Sequence, residues 1–153
     1  MSELKQIIDN LDRIHGGEAW HGPSLLQMLS EVTPEQAAAK PVGRAHSIWE
    51  LILHIAGWEE VCRLRLEGRQ TREPEEGDFP QPHEPTAGEW RKALDRLETT
   101  HQKLTELVRG LTDSELDQQA VGFDYNKRFL LHGILLHHVY HAGQIRLLQK
   151  SLQ

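Results

Sequence analysis

The 153 residues are enough for one domain with its own core, and 38% hydrophobic with 26% charged residues excludes a disordered chain. A net charge of −6 without any cluster of Lys and Arg argues against nucleic acid or an anionic membrane surface as partner. Cys62 is the only cysteine, which excludes an internal disulfide.

The N-terminus, MSELKQIIDNLDRIH, carries charge throughout and lacks the apolar centre of a signal peptide. The longest stretch without formal charge, Phe129 to Ile145, is too short and too rich in histidine to span a bilayer. A cytoplasmic protein with a single domain over residues 1–153 is the expectation.

Taken in chain order, the pattern is helical with short breaks. Leu4, Ile7, Ile8, Leu11 and Ile14 are spaced three and four apart, one face of a helix over 2–15, and Gly16-Gly17 interrupts it. WHGPSLLQMLSEVT resumes, with Pro23 suited to a first turn. Thr33-Pro34-Glu35-Gln36 reads as an N-cap followed by proline at the first helical position, opening a short turn to about Lys40. Ser47 and Glu50 form a capping box that starts a long helix ended by Gly68. Residues 69–85 hold four prolines and several acids and read as a loop. Thr86 then caps a helix to about Leu111, and a minor helix opens at Thr112/Ser114. VGFDYNKR connects to a last helix from about Phe129 to Leu152. Four main helices without strand signal make this an all-α four-helix bundle, and the long proline-rich loop predicts one crossing connection.

Ten histidines are about three times the number a ~2% background gives, and position decides what they mean. At 100° per residue, His141 lies within the inward stripe of the last helix, with Leu130, Ile134, Ile145 and Leu148. His137 and His138 sit on its two flanks. On the other long helix, His54 lies in the stripe of Leu51, Trp58 and Val61. A lone inward histidine is usually a core residue bonded to a carbonyl. Two histidines one turn apart can share an ion, and a third from a second helix completes the three-nitrogen set that zinc uses when it keeps a position open. Spacing does not choose between His137/His141 and His138/His141.

HSIWELILHIAGWEE (46–60) followed by HHVYHAGQI (137–145) resembles the DinB-like superfamily of bacterial metal-binding four-helix proteins. WHGPSLLQML and LTDSELDQQAVG are similar to its members too, so the likeness covers nearly the whole chain. The resemblance implies a ligand set of one histidine on the second main helix and a His-x3-His pair on the last, here His54, His137 and His141. It further implies a divalent metal (zinc or nickel foremost, iron or manganese also admissible) and a homodimer. Some members transfer low-molecular-weight thiols. The function it implies here is therefore a metal-dependent transferase that activates such a thiol for attack on a small-molecule electrophile. The alternative is a non-catalytic metal-binding protein associated with stress.

Neighbouring residues read more plainly. Tyr140 points away from His141 and suits packing or an interface, Trp58 suits core packing or the wall of a pocket beside His54, and Cys62 is a small buried residue. Gln144 is read as a surface hydrogen-bonding residue, with ligand orientation as the lesser reading. Arg65 and Arg128 are read as surface arginines with some suitability for a thiol cofactor's carboxylates. A di-iron bundle fits less well, because Glu50 stands four before His54 and no acid lies in the last helix's inward stripe. HExxH chemistry is excluded because position 138 is histidine.

Overall fold

The computed structural model describes residues 1–153. Four long helices, α1 (Glu3–His15), α4 (Ile48–Leu66), α5 (Ala87–Arg109) and α6 (Lys127–Ser151), form the body. Two short helices, α2 (Leu25–Leu29) and α3 (Pro34–Ala38), join α1 to α4, and a 3₁₀ turn at Asp113–Asp117 precedes α6.

Local chemistry sets these limits. Ser47 Oγ accepts from the Glu50 amide while Glu50 Oε2 accepts from the Ser47 amide at 2.7 Å, closing the box at the head of α4. Thr86 caps α5 through the Glu89 amide. Gly68, just past α4, takes the left-handed conformation that a stop requires, with φ of +89°. The last helix starts two residues before the sequence-based boundary. Asn126 is its N-cap, and its Oδ1 accepts from the Phe129 amide at 2.9 Å.

Two apolar clusters fill the interior. One gathers α2, α3, the first half of α4, the first half of α5 and the end of α6. The other gathers α1, the end of α4, the second half of α5 and the start of α6. It follows that α4 and α5 run parallel and that α6 runs against them; α1 does too, since its start is held by Asp113 just past α5 and its end by Glu98 within α5. Residues 67–86 must therefore carry the chain back along the bundle between two parallel helices, which is the crossing connection. That loop lies against α4: a Cβ added at Gly57 would meet the Pro74 ring at 3.0 Å, so the absent side chain admits the loop.

Between the apolar clusters lies a polar layer. Glu59 on α4, Thr100 and His101 on α5, His15 on α1, and His138 and His141 on α6 are all buried at mid-bundle. Function is to be sought at this level.

Candidate metal centre

His54 comes from the middle of α4, and His137 and His141 stand one turn apart on α6. The three rings meet at the polar layer, with His54 and His141 buried and His137 half-buried. His137 Nε2 lies 2.8 Å from His54 Nε2, which lies 3.0 Å from His141 Nε2.

The opposite nitrogens decide the tautomers. His54 Nδ1 faces the backbone oxygen of Asp78 at 2.7 Å, and that oxygen only accepts, so Nδ1 carries the proton. His141 Nδ1 donates to Gln144 Oε1 at 2.6 Å. Both Nε2 atoms are thereby bare lone pairs, aimed at one another with no hydrogen between them. A shared cation relieves that contact. Two nitrogens about 2.1 Å from one ion stand roughly 3.0–3.4 Å apart at ordinary bond angles, so the observed spacings need only a few tenths of an ångström of relaxation. The donor set fits a divalent metal.

Electrostatics agree. Burial, together with the adjacent His141, His138 and His54, pushes His137 down to about 3. Burial also lowers His141. Neutral imidazoles are the form a metal takes. His137 Nδ1 is buried without a partner, so His137 is the least anchored of the three.

The crossover loop builds the second layer. Asp78 accepts from His54 through its backbone, and its Oδ1 accepts from Trp58 Nε1 at 2.7 Å. Phe79 lies flat between two imidazoles, 4.0 Å from His54 and 3.6 Å from His46.

A cavity of about 220 Å³ opens beside His137, walled mainly by Trp58, Cys62, Tyr125, Phe129 and Ile134. Arg65 sits in its wall with the guanidinium engaged. It donates to the backbone oxygens of Thr71 and Arg72 and to the Tyr125 hydroxyl, and it lies over the Phe123 ring. Arg128 is paired with Glu3 and Asp117, far from a ligand role. Cys62 lines the cavity, but burial, reinforced by Glu59, raises its thiol far above the ordinary value. Tyr140 is exposed, its ring edge-on to His141 at 5.0 Å. Gln144 orients His141, contrary to the surface role read from its spacing; helix angle alone does not show which ring a flexible amide reaches.

His138 does not join His54 and His141. It turns into the bundle, where Nε2 comes 3.2 Å from Glu59 Oε1, outside good hydrogen-bond alignment. Glu59 is fully buried and also accepts from Thr100 Oγ1 at 2.6 Å and from His101 Nδ1 at 3.0 Å. Burial alone would raise its carboxyl, but the bond from His101 and the charges of His101 and His138 outweigh that and hold it at about 2. His15 stacks on His101 at 3.7 Å with the planes 3° apart. His15, Glu59 and His101 are close enough to share an ion, yet a ligated ion lies in each ring's plane and these planes are parallel. This group is a buried acid–imidazole network. It was legible in part: Ile48, Ile52, Ile55, Glu59, Cys62 and Leu66 make one apolar seam with a single acid in it.

No helix is long and apolar enough to cross a membrane. No curated protein and no solved structure matches the chain. The profile of the DinB superfamily matches residues 19–145, a span that holds all three converging imidazoles and the loop braced against them. By that match over most of its length, the chain belongs to the DinB superfamily.

Proposed function

We propose that this protein binds one divalent metal ion through Nε2 of His54, His137 and His141, and that it activates a low-molecular-weight thiol for attack on an electrophilic carbon. The observation that carries the reading is the convergence of three nitrogens, at least two of them held as bare lone pairs. An all-imidazole set suits zinc or nickel better than manganese, with iron between them. An ion held by three neutral ligands keeps its full positive charge and supplies the Lewis acidity that favours thiolate near neutral pH.

The chain's own residues do the rest. Asp78 and Gln144 hold the His54 and His141 rings in their ligating tautomers. The cavity beside His137 accepts the apolar part of a substrate and keeps water from it. Cys62 stays a thiol, so the attacking sulfur comes from the small molecule.

Tag-free protein dialysed against zinc or nickel should hold one ion per chain, and His54→Ala, His137→Ala and His141→Ala should each abolish it. The loaded protein, given bacillithiol, glutathione or coenzyme A with a chloro or epoxide electrophile, should turn over above the free-thiol rate. One ion per chain without such turnover would make it a non-catalytic metal-binding protein.

A further inference from the structure

The cavity beside His137 is a trough with two unlike ends. On α4 its wall residues Trp58, Cys62 and Arg65 follow one another about a turn apart, and on antiparallel α6 so do His137, Gly133 and Phe129. At 1.5 Å per residue, Phe129 and His137 are separated by about 12 Å of helix. His137 stands at one end, and Arg65 with Tyr125 at the other. Between them the wall is apolar.

Arg65 differs from Arg13, Arg63 and Arg128, each of which pairs with a carboxylate. It meets none. Its Nε and Nη2 donate to the backbone oxygens of Thr71 and Arg72, both at 2.7 Å, and Nη1 donates to the Tyr125 hydroxyl at 2.9 Å. The Phe123 and Trp58 rings lie 4.4 and 5.6 Å from its Cζ. Neutral groups thus fix the guanidinium in place and leave its whole charge unbalanced. Of a guanidinium's five N–H groups these bonds use three, so each Nη keeps one. The Tyr125 hydroxyl accepts from Arg65, and its own hydrogen has no acceptor in the chain.

Unused donors around one positive charge therefore end an apolar trough. A carboxylate matches them, because its two oxygens take a guanidinium fork and its single charge balances Arg65. A phosphate dianion would bring a second charge that no other wall residue answers. Size sets the rest of the ligand. The cavity of about 220 Å³ is half as large again as the ~150 Å³ apolar cavity that accommodates benzene, so by proportion it takes roughly nine carbon atoms.

We propose that the trough binds a monocarboxylate with an apolar tail of about eight carbons, its carboxylate on Arg65 and Tyr125 and its far end beside His137. This ligand is the electrophile and not the thiol. Bacillithiol, glutathione and coenzyme A carry polar groups along their length and would bury them unpaired against Trp58, Ile134 and Phe129. As an account of the electrophile the inference rests on the function proposed above, whereas the binding itself needs no metal. Gly133 sets the room available: a Cβ there meets nothing within 4 Å, so a larger side chain fits the helix and narrows the trough.

Titration calorimetry on the full chain with metal removed tests this. Octanoate should bind one per chain, about tenfold or more tighter than octanamide, which has the same tail and no charge. Affinity should rise severalfold with each methylene from butanoate to octanoate and level off by dodecanoate, which the trough cannot hold. Tyr125→Phe should weaken octanoate severalfold and leave octanamide unchanged. Arg65→Gln should abolish the preference for octanoate; since Arg65 also ties down Thr71 and Arg72, the comparison of the two ligands on the unaltered chain stands without it. Gly133→Leu should weaken octanoate and spare butanoate.

Equal affinity for octanoate and octanamide overturns the proposal, as does the absence of saturable binding. Glutathione or bacillithiol binding the metal-free chain more tightly than octanoate would overturn it too, by assigning the charged end to the thiol. Octanoate binding in a chain that holds no zinc would keep this site and remove the thiol-transfer reading. Zinc binding without octanoate binding would do the reverse.

Discussion

His137 and His138 are adjacent in the chain and opposite in duty. His137 looks out toward His54 and the cavity, and His138 looks in toward Glu59. Their alanine variants should separate accordingly. His137→Ala is expected to lose the ion with little change in stability. His138→Ala is expected to keep the ion in equilibrium dialysis while losing about 1–3 kcal/mol in urea unfolding, because Glu59 loses a buried partner. Gln144 acts one layer further out: Gln144→Leu leaves His141 Nδ1 without its acceptor and should weaken metal affinity about 10- to 100-fold, read by competition with a chelator.

At the scale of elements, the crossover loop is a structural part of the site and not slack chain. It brings Asp78 to His54 and Phe79 between two imidazoles, and it can lie so close only because position 57 is glycine. Gly57→Ala improves helix propensity by about 1 kcal/mol but drives a methyl into Pro74. Its expected signature is weaker metal binding with thermal stability nearly unchanged. Ser47→Ala opens the capping box of α4 and should cost about 1 kcal/mol of stability without touching the ion, since Ser47 is two turns from His54.

For the whole molecule, buried carboxylates and imidazoles make stability depend on acid. Glu50 and Glu59 are both held at about 2 against an ordinary 4.5. For Glu50, burial works the other way and is outweighed by bonds from Ser47, Lys40 and Gln81. A carboxyl depressed in the folded state contributes its full stability above 4.5 and loses it as pH falls toward 2. His15, lowered mainly by burial, adds loss in the same direction once pH drops below 6.5, where the unfolded chain takes up the proton first. Urea midpoints of the metal-free protein should therefore fall gradually below pH 6.5 and steeply below 4.5. Glu59→Gln should lower the plateau and flatten the steep part.

Much of this was readable in one dimension. Helix limits follow from caps and three-four spacing, which are local, so boundaries drawn at Ser47, Gly68 and Thr86 coincide with those observed. His54 and His141 face inward because each occupies an apolar stripe, again a local fact. Three-dimensional contact decided the remainder. Which of two adjacent histidines turns to His54, which acceptor sets each tautomer, and that His15 and His101 lie face to face all depend on side chains distant in sequence meeting at one level of the bundle. Periodicity records the angle of a side chain about its own helix axis. It carries no record of what the neighbouring helix places opposite, and the convergence of the three imidazoles is settled there.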